Sequence, residues 1–329
     1  MGRMIGRGFS FGVALLLLAF AGVAVVRGQG LQPAAASPQL VILDTDIGDD
    51  IDDAFALALV LRSPELHLLG ITTAFGDTAL RARLVDRYLN AVRRGDIPVA
   101  AGVQTDAPNY LTQAAYAWGG PDTKHPHGVD FLLAQIRAHP GAVTLIAIGP
   151  LFNVQAAIQR DPATFKLLKR VVMMGGSVYR GYNSAGDTHR PPDPEWNIRC
   201  DPAGLKALLA SGVPVFMMPL DSTQVHLPMP QLMSIASHGS PLTDQLTLLY
   251  HQWAGHQPTV DREWPSPTLY DPVAVTYTFR PDLCPAVPLH IEVDDKGNTR
   301  PVSGAPNAEV CLKSDENEFL DLLLGRILK

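Results

Sequence analysis

The sequence predicts an α/β fold: a mostly parallel central sheet with helices on both faces, followed by a small antiparallel hairpin near the C-terminus. The main observation is that short apolar runs alternate with helix-like stretches up to about residue 220, an order typical of a parallel sheet covered by helices. The second is composition, since 47% of the 329 residues are hydrophobic and 18% are charged, which indicates a globular enzyme rather than a disordered chain. A net charge of -6 argues against a nucleic-acid groove, which would need a basic surface.

The elements can be assigned in order along the chain. Short apolar runs predict strands at residues 40–43, 66–73, 143–148, 171–174 and 213–218. Helix-like stretches predict helices at residues 54–62, 79–94, 130–138, 151–159, 202–210 and 242–253. Beyond Cys284 the pattern changes, and two runs at residues 289–293 and 301–302, separated by a turn, predict the hairpin. A strand at residues 310–312 and an amphipathic helix at residues 316–328 complete the prediction.

The N-terminus has the layout of a secretory signal. Arg3 and Arg7 precede an uncharged apolar run over residues 9–26, and small residues follow it. We expect residues 1–30 to direct export to the periplasm or the exterior and to be cleaved, although the run is also long enough to remain as a membrane anchor. Residues 31–38 are then a linker, and residues 39–329 a single catalytic domain.

The chain has three cysteines, Cys200, Cys284 and Cys311, and none has the spacing of a zinc site. In an exported protein one pair could be oxidised. Cys284 with Cys311 is the preferred pair because both lie in the C-terminal part of the chain. The alternative is three buried thiols.

A cluster of aspartates lies between the first predicted strand and the first predicted helix. Its members are Asp44, Asp46, Asp49, Asp50, Asp52 and Asp53. Carboxylates this close repel one another, and a hard cation such as Ca²⁺ or Mg²⁺, which takes oxygen ligands, removes that repulsion. An acidic helix N-terminus would explain the later members, but not Asp44 and Asp46 at the end of an apolar strand. We therefore expect a metal site.

Comparison with known aspartate patterns narrows the kind of site. An EF-hand loop counted from Asp44 would need glycine and glutamate where the chain has Asp49 and Phe55. Phosphatases of the haloacid dehalogenase type begin Asp-x-Asp-x-Thr/Val, but here Gly48 takes the fifth place. The segment instead resembles the Asp-x-Asp-x-Gly…Asp-Asp-Ala motif of the nucleoside hydrolase family, whose members cleave N-ribosides using Ca²⁺. The family's commoner form has one residue between the glycine and the aspartate pair, whereas here three intervene.

Further motifs follow in the family's order. They are Thr72-Thr73-Ala74-Phe75-Gly76-Asp77, Gly149-Pro150-Leu151-Phe152-Asn153, Met173-Met174-Gly175-Gly176, Glu195-Trp196-Asn197, Pro219-Leu220-Asp221 and Tyr270-Asp271-Pro272. Because the resemblance to the inosine-uridine preferring type spans residues 44–272, it implies the nucleoside hydrolase fold and an N-ribosyl hydrolase (EC 3.2.2 class) acting in nucleoside salvage. Such an enzyme releases base and ribose from ribonucleosides.

The resemblance also implies roles for the matched residues. Ca²⁺ would be held by Asp46, Asp53, Asp271 and the main-chain carbonyl of Phe152. Asp46 would in addition be the general base that takes a proton from the attacking water. The residues predicted to bind the ribose are Asp50 or Asp52, together with Asp77, Met174, Glu195 and Asn197. Glu195 and Asn197, two apart, would point to one side of an extended chain, whereas Met174 could be core and Asp77 a turn residue.

Leaving-group activation is less determined. Tyr270 stands where the family has a histidine that in some members protonates the departing base, and a tyrosine, with a reference pKa of about 10, is a weaker donor. A predicted long loop at residues 110–130 carries His125 and His127, and His127, followed by glycine as in the family's comparable loop, is the preferred catalytic histidine. His125, a water and departure without an acid remain open.

Two other functions are weighed against this one. The first is a haloacid dehalogenase-like phosphohydrolase with Asp44 as nucleophile, and the second is a non-catalytic protein that binds ribosides through Ca²⁺. The expected partner is a small-molecule nucleoside. The sequence leaves base preference and homo-oligomerisation open, and membrane association follows only if the N-terminal segment is not cleaved.

Overall fold

Nine strands form one sheet in the computed structural model, which describes residues 1–2, 8, 37–106, 111–183, 190–257 and 265–329. The strands are β1 (Gln39–Thr45), β2 (Leu66–Thr73), β3 (Val99–Ala101), β4 (Thr144–Ala147), β5 (Arg170–Met174), β6 (Val215–Met218), β7 (Ala286–Val293), β8 (Thr299–Val302) and β9 (Ala308–Cys311). Their order across the sheet is β3-β2-β1-β4-β5-β6-β9-β7-β8. The pairs from β3 to β9 are parallel, and β7 runs antiparallel to β9 and β8. The predicted sheet and its C-terminal hairpin are confirmed.

The helices are α1 (Asp52–Leu61), α2 (Thr78–Ala91), α3 (Ala114–Trp118), α4 (Gly128–Ala138), α5 (Phe152–Arg160), α6 (Pro162–Phe165), α7 (Trp196–Cys200), α8 (Pro202–Ala210), α9 (Leu220–Thr223), α10 (Met229–His238), α11 (Pro241–Ala254), α12 (Asp271–Phe279) and α13 (Glu316–Ile327), with a 3₁₀ turn at Pro281–Leu283. The sequence missed α3, α6, α7 and α9 because four or five residues are too few for a helical period. It also missed α10, which has ten residues. It missed α12 because almost every residue of that helix is buried, which removes the polar face that a pattern would show.

Two hydrophobic clusters lie on opposite faces of the sheet. Along β1, Val41 and Leu43 belong to one cluster and Ile42 to the other, as expected where successive side chains point to opposite faces. The first cluster includes buried residues of α1, α2, α11 and α12, and the second includes those of α4, α5 and α8. Helices therefore cover both faces, as predicted.

Cys284 and Cys311 form a disulfide with their Cα atoms 5.6 Å apart. The bond connects the segment before β7 to the last residue of β9. The preferred pairing is confirmed, and Cys200 is a free, half-buried thiol.

The compact unit that carries the sheet is Ser37–Lys329. Almost all of the predicted signal or anchor, at residues 1–30, and most of the predicted linker lie outside the described residues, so the structure does not bear on either of them. Within the described residues, none of the helices has the length and apolar character needed to cross a membrane.

Candidate active site

The carboxyl ends of the central strands open into a cavity of about 460 Å³. The sheet order reverses between β1 and β4, since the chain runs from β1 outward to β3 and then returns to pair β4 with the other side of β1. Such a switch point leaves a crevice beyond the strand ends, where ligands bind. Asp46 just after β1, Ile148 just after β4 and Met174 at the end of β5 all line the cavity.

The cavity has two chemically different sets of lining residues. One set is acidic and consists of Asp46, Asp49, Asp50, Asp52, Asp53, Glu195 and Asp271. The other is aromatic and consists of Tyr182, Trp196, Trp253 and Tyr270. Carboxylates suit a cation or a polyol, and flat apolar rings suit a flat heterocycle. The cavity therefore combines the surfaces that a sugar joined to an aromatic base would need.

Three buried carboxylates come close together at the start of two helices. One oxygen from each of Asp52, Asp53 and Asp271 lies within 4.8 Å of the other two, and α1 and α12 begin at Asp52 and Asp271. The Asp52 side chain accepts the Asp271 amide at 3.2 Å, and Asp53 accepts the Thr45 hydroxyl at 2.5 Å. Burial first, and then the neighbouring carboxylates, raise the pKa of all three well above the usual range. An oxygen-binding cation would remove this repulsion.

Asp46 lies beside this trio and not in it. Its side chain is 6% exposed, and burial raises its pKa to about 7 against the opposing charge of Arg81. The Asp46 charge in turn raises the pKa of Asp53 and Asp52. The structure thus gathers the three predicted carboxylate ligands in one cavity, but the compact group contains Asp52, which the sequence assigned to ribose, in place of Asp46.

The extra residues of the aspartate motif are held by specific partners. Asp49 pairs with the buried Arg81 at 2.8 Å. Asp50 lines the cavity, where burial raises its pKa to about 6 and a hydrogen bond from Trp253 opposes that rise. The Asp50 carbonyl also accepts the Gln113 side-chain amide at 2.7 Å. Both inserted aspartates therefore face the cavity, although the sequence assigned a role only to Asp50.

Glu195 and Asn197 line the cavity from the start of α7. Glu195 caps the helix by accepting the amides of Asn197 and Ile198 and also accepts that of Gly176, and burial still raises its pKa to about 7. The Asn197 side chain donates to the Ile148 and Met174 carbonyls, both at 3.2 Å. The expectation of an extended backbone here was wrong, because Asn197 is helical, but both side chains do reach one cavity.

Asp77 and His127 do not line the cavity. Asp77 is the N-cap of α2 and accepts the Leu80 amide at 2.9 Å, which is a local capping role; its contact with ribose stays a prediction. His127 is exposed at the start of α4 and pairs with Ala101 of β3. Because β3 is the edge strand, the predicted catalytic role of His127 does not fit its position.

His125 is held away from the cavity too, since its Nε2 lies 2.8 Å from an Asp86 oxygen. The part of its loop at residues 107–110 lies outside the described residues. Neither histidine therefore reaches the cavity as a candidate acid for the leaving group.

Two further sequence expectations concern residues outside the lining. Phe152 begins α5, and its ring stacks on Phe75 with 6.2 Å between ring centroids; the use of its carbonyl as a metal ligand stays a prediction. Asp44 is fully buried and accepts the Thr72 hydroxyl at 2.5 Å and the Asn153 amide at 2.7 Å. Asp44 does not line the cavity, which removes the phosphohydrolase alternative that needs it as nucleophile.

The sequence gave no role to several lining residues. They are Asp49, Thr112, Ile148, Tyr182, Trp253 and Gln257. Tyr182 belongs to a stretch without a matching motif, and Trp253 and Gln257 lie at the end of α11, where helical periodicity alone marks an apolar residue as core.

This cavity, with buried carboxylates at a switch point of an α/β sheet, defines a small-molecule site of an enzyme that handles a polyol and a flat ring. The sequence model of the inosine-uridine preferring nucleoside hydrolase family matches residues 41–321. The chain belongs to that family, and it is an N-ribosyl hydrolase.

Individual relatives agree with this assignment over most of the chain. A pyrimidine-specific ribonucleoside hydrolase of Salmonella arizonae, RihA, is 30% identical over 318 residues, covering 87% of this chain and 97% of the relative. A plant nucleoside hydrolase structure, PpNRh1, matches with a TM-score of 0.77 and 25% identity over 88% of this chain and 99% of the other. A purine-preferring ribonucleoside hydrolase from Gardnerella vaginalis matches with a TM-score of 0.75 and 23% identity, over 88% and 98% of the two chains, and this likeness shows the fold.

Proposed function

We propose that this protein hydrolyses the N-glycosidic bond of ribonucleosides with a Ca²⁺ ion bound among its buried aspartates and with Asp46 as general base. The observation that carries the proposal is the trio Asp52, Asp53 and Asp271, whose oxygens lie within 4.8 Å of one another beside Asp46 in the same cavity. The three carboxylates are buried, and none of the ion pairs among the described residues includes any of them.

The donor set fits a hard cation. All the side-chain donors are carboxylate oxygens, the ligand type that Ca²⁺ takes, whereas softer metals favour thiolate and imidazole ligands. Asp46, Asp53 and Asp271 would hold the ion together with the Phe152 carbonyl. Asp52, which has an oxygen within 4.8 Å of oxygens of Asp53 and Asp271, would add a further ligand. When bound, Ca²⁺ supplies a positive charge that binds the ribose hydroxyls and lowers the pKa of a water.

The protein's own groups complete the reaction. Asp46 accepts a proton from the attacking water, which requires its ionised form. Asp50 or Asp52, with Glu195 and Asn197, positions the ribose hydroxyls. As the C1′–N bond breaks, positive charge develops on the sugar, and the surrounding carboxylates stabilise it because they are already fixed in place. The aromatic set described above would contact the base.

A nucleoside panel tests the proposal directly. Purified protein is incubated with purine and pyrimidine ribonucleosides, and free base and reducing sugar are measured with EDTA, without it, and after Ca²⁺ or Mg²⁺ is added back. We expect turnover that EDTA abolishes and Ca²⁺ restores. Cleavage that survives EDTA would contradict the requirement for a metal ion. A protein that ribosides stabilise against thermal unfolding without being cleaved would instead favour the riboside-binding alternative.

Calorimetric titration of metal-free protein with Ca²⁺ provides a readout that is independent of turnover. Asp271→Asn should abolish the binding heat, because it removes one of three clustered carboxylates. Asp282→Asn is the matched control, since Asp282 is 61% exposed and pairs with Arg280. Equal Ca²⁺ affinity in the two variants would place the ion elsewhere.

We also propose that the protein is exported. The basic and apolar layout of the first thirty residues supports this, and so does the disulfide between Cys284 and Cys311, since such bonds persist mainly in oxidising compartments. Expression of the full chain in a bacterial host, followed by fractionation and N-terminal sequencing, tests the proposal. Protein found in the cytoplasm with an intact N-terminus would contradict it.

A further inference from the structure

Tyr182 is held at the cavity by contacts on both sides of it. The Gln224 side chain donates to the Gly181 carbonyl at 3.0 Å and accepts the Asn183 amide at 2.6 Å. Asp221 fixes the start of the same segment by accepting the Val178 amide at 2.9 Å. These hydrogen bonds fix the backbone around Tyr182, which lines the cavity although it belongs to no motif.

The Tyr182 hydroxyl accepts one hydrogen bond and still has its proton to donate. Its oxygen accepts the Trp196 amide at 2.9 Å, and the ring meets Tyr270 edge-on, with centroids 6.2 Å apart and planes at 80°. A phenol also has one proton to donate, and none of the described residues accepts it. A ligand in the cavity is thus the available acceptor.

The surroundings of Tyr182 keep that proton in place. Burial, followed by the charge of Glu195, raises the pKa of Tyr182 above its usual range, so the hydroxyl remains protonated at neutral pH. Glu195 acts on the neighbouring Tyr270 as well, and Asp50 and Asp52 add two further negative charges there. The two added charges oppose the build-up of negative charge on a departing base near Tyr270.

We propose that Tyr182 is the hydrogen-bond donor to the leaving nucleobase, contacting a ring nitrogen or carbonyl oxygen of the base as the glycosidic bond breaks. The inference rests on the proposed function and replaces the histidine expected from the sequence, because neither His125 nor His127 lines the cavity.

In this step the C1′–N bond breaks with its electron pair going to the base. The water adds its oxygen to C1′ and gives one proton to Asp46, and the base anion later takes a proton from solvent. Tyr182 keeps its own proton throughout and stabilises the anion through a hydrogen bond. A neutral donor of this kind contributes less than a full proton transfer, so its removal should cost about 10- to 100-fold in rate.

Two kinds of leaving group test the role. Wild type, Tyr182→Phe and Tyr179→Phe are compared on inosine and uridine, and on p-nitrophenyl riboside, whose phenolate departs without assistance. Tyr179 is the matched control because it lies on the same segment with 54% exposure and is absent from the cavity lining. For Tyr182→Phe we expect kcat on the nucleosides to fall about 10- to 100-fold, with p-nitrophenyl riboside cleavage within about threefold of wild type.

Each other outcome overturns the assignment. Equal losses on both kinds of substrate would mean that the hydroxyl acts on the sugar or on folding, and no loss on nucleosides would mean that it does not contact the base. Because p-nitrophenyl riboside is cleaved by the same preparation, it also reports whether the variant is folded. A wild type that cleaves neither substrate would contradict the proposed function itself, which is a separate result.

Discussion

The Arg81 guanidinium and the Asp49 carboxylate form an ion pair of 2.8 Å, in which the Arg81 side chain is fully buried. The same guanidinium donates to the Phe75 carbonyl at 2.8 Å, to the Ile47 carbonyl at 3.0 Å, and to the Asp46 carbonyl. One side chain therefore satisfies the main chain of the turn that presents the acidic motif. Since three residues separate Gly48 from the aspartate pair, where the commoner form has one, Arg81 is the partner that holds the longer turn.

Replacing Arg81 should therefore be costly for both stability and metal binding. Arg81→Met leaves Asp49 without its partner and several carbonyls without a donor, and breaking a buried pair in this way costs about 3–5 kcal/mol. Denaturant unfolding measures that loss, and Ca²⁺ titration should show weaker binding, because Asp46 is no longer fixed. Arg83→Met is the control: its partner Asp122 is exposed and 3.8 Å away, and such a pair contributes about 0–1 kcal/mol. Arg83 also donates to the Trp118 and Gly120 carbonyls at 3.3 and 3.2 Å, so the control loses main-chain contacts too, but no buried ion pair. Similar unfolding midpoints for both variants would refute the role of Arg81.

The sequence predicts the residues of this site well where they are close together along the chain, and poorly where they are far apart. Asp46 and Asp53 were located because they directly follow a strand and begin a helix, so local pattern and topology agree. Tyr182 and Trp253 were not, because contacts such as those of Gln224 with the Tyr182 segment join distant parts of the chain. His127 was misplaced for a related reason: its loop returns to the edge strand β3, which is three residues long and too short to be seen in the sequence.

Asp77 stands at a family position, and the structure shows it in a local role as the N-cap of α2. Asparagine and aspartate are equally good N-caps. Asp77→Asn should therefore leave the free energy of unfolding unchanged and keep kcat/KM within about threefold of wild type. Asp77→Ala should lose about 1 kcal/mol of stability and keep its kcat/KM, measured at saturating Ca²⁺. A tenfold fall in kcat/KM for Asp77→Ala with an unchanged unfolding midpoint would show that Asp77 does bind the sugar.

Tyr270 should be nearly dispensable as an acid. Burial, and then the charges of Asp50 and Asp52, raise the pKa of its hydroxyl above the usual range, which makes proton transfer to a leaving base less favourable. We expect kcat on nucleosides for Tyr270→Phe to stay within about tenfold of wild type, well below the effect of a general acid. A loss above about a hundredfold would identify Tyr270 as the acid and contradict the assignment to Tyr182.

The pH dependence of stability should carry a contribution from Glu195. Its pKa is about 7 in the folded protein against an ordinary value of 4.5, so the folded state binds the proton more tightly. The contribution of Glu195 to the free energy of unfolding is complete below about pH 4.5 and is lost as the pH rises through about 7. The free energy of unfolding changes on the order of 3 kcal/mol over this range. With EDTA present, wild type should therefore lose more stability between pH 5 and pH 8 than Glu195→Gln, which does not titrate. Parallel stability curves for the two proteins would show that Glu195 titrates normally.

The disulfide gives a prediction that concerns the C-terminal strands. Cys284 and Cys311 are 27 residues apart, and closing a loop of this size typically contributes about 2–4 kcal/mol, mainly by restricting the unfolded chain. The double variant Cys284→Ala, Cys311→Ala should lose that amount, and dithiothreitol should lower the stability of wild type to the same level.

Cys200→Ala is the control for this experiment, because Cys200 is free; it should keep the response to reductant that the double variant lacks. Because Cys284 and Cys311 are almost completely buried, reduction should be slow in the native state and complete only after partial unfolding. The measurement therefore compares protein that was unfolded and refolded with and without reductant. Wild type that refolds to the same stability in both conditions would show that the bond is not formed, and it would remove one of the two supports for export.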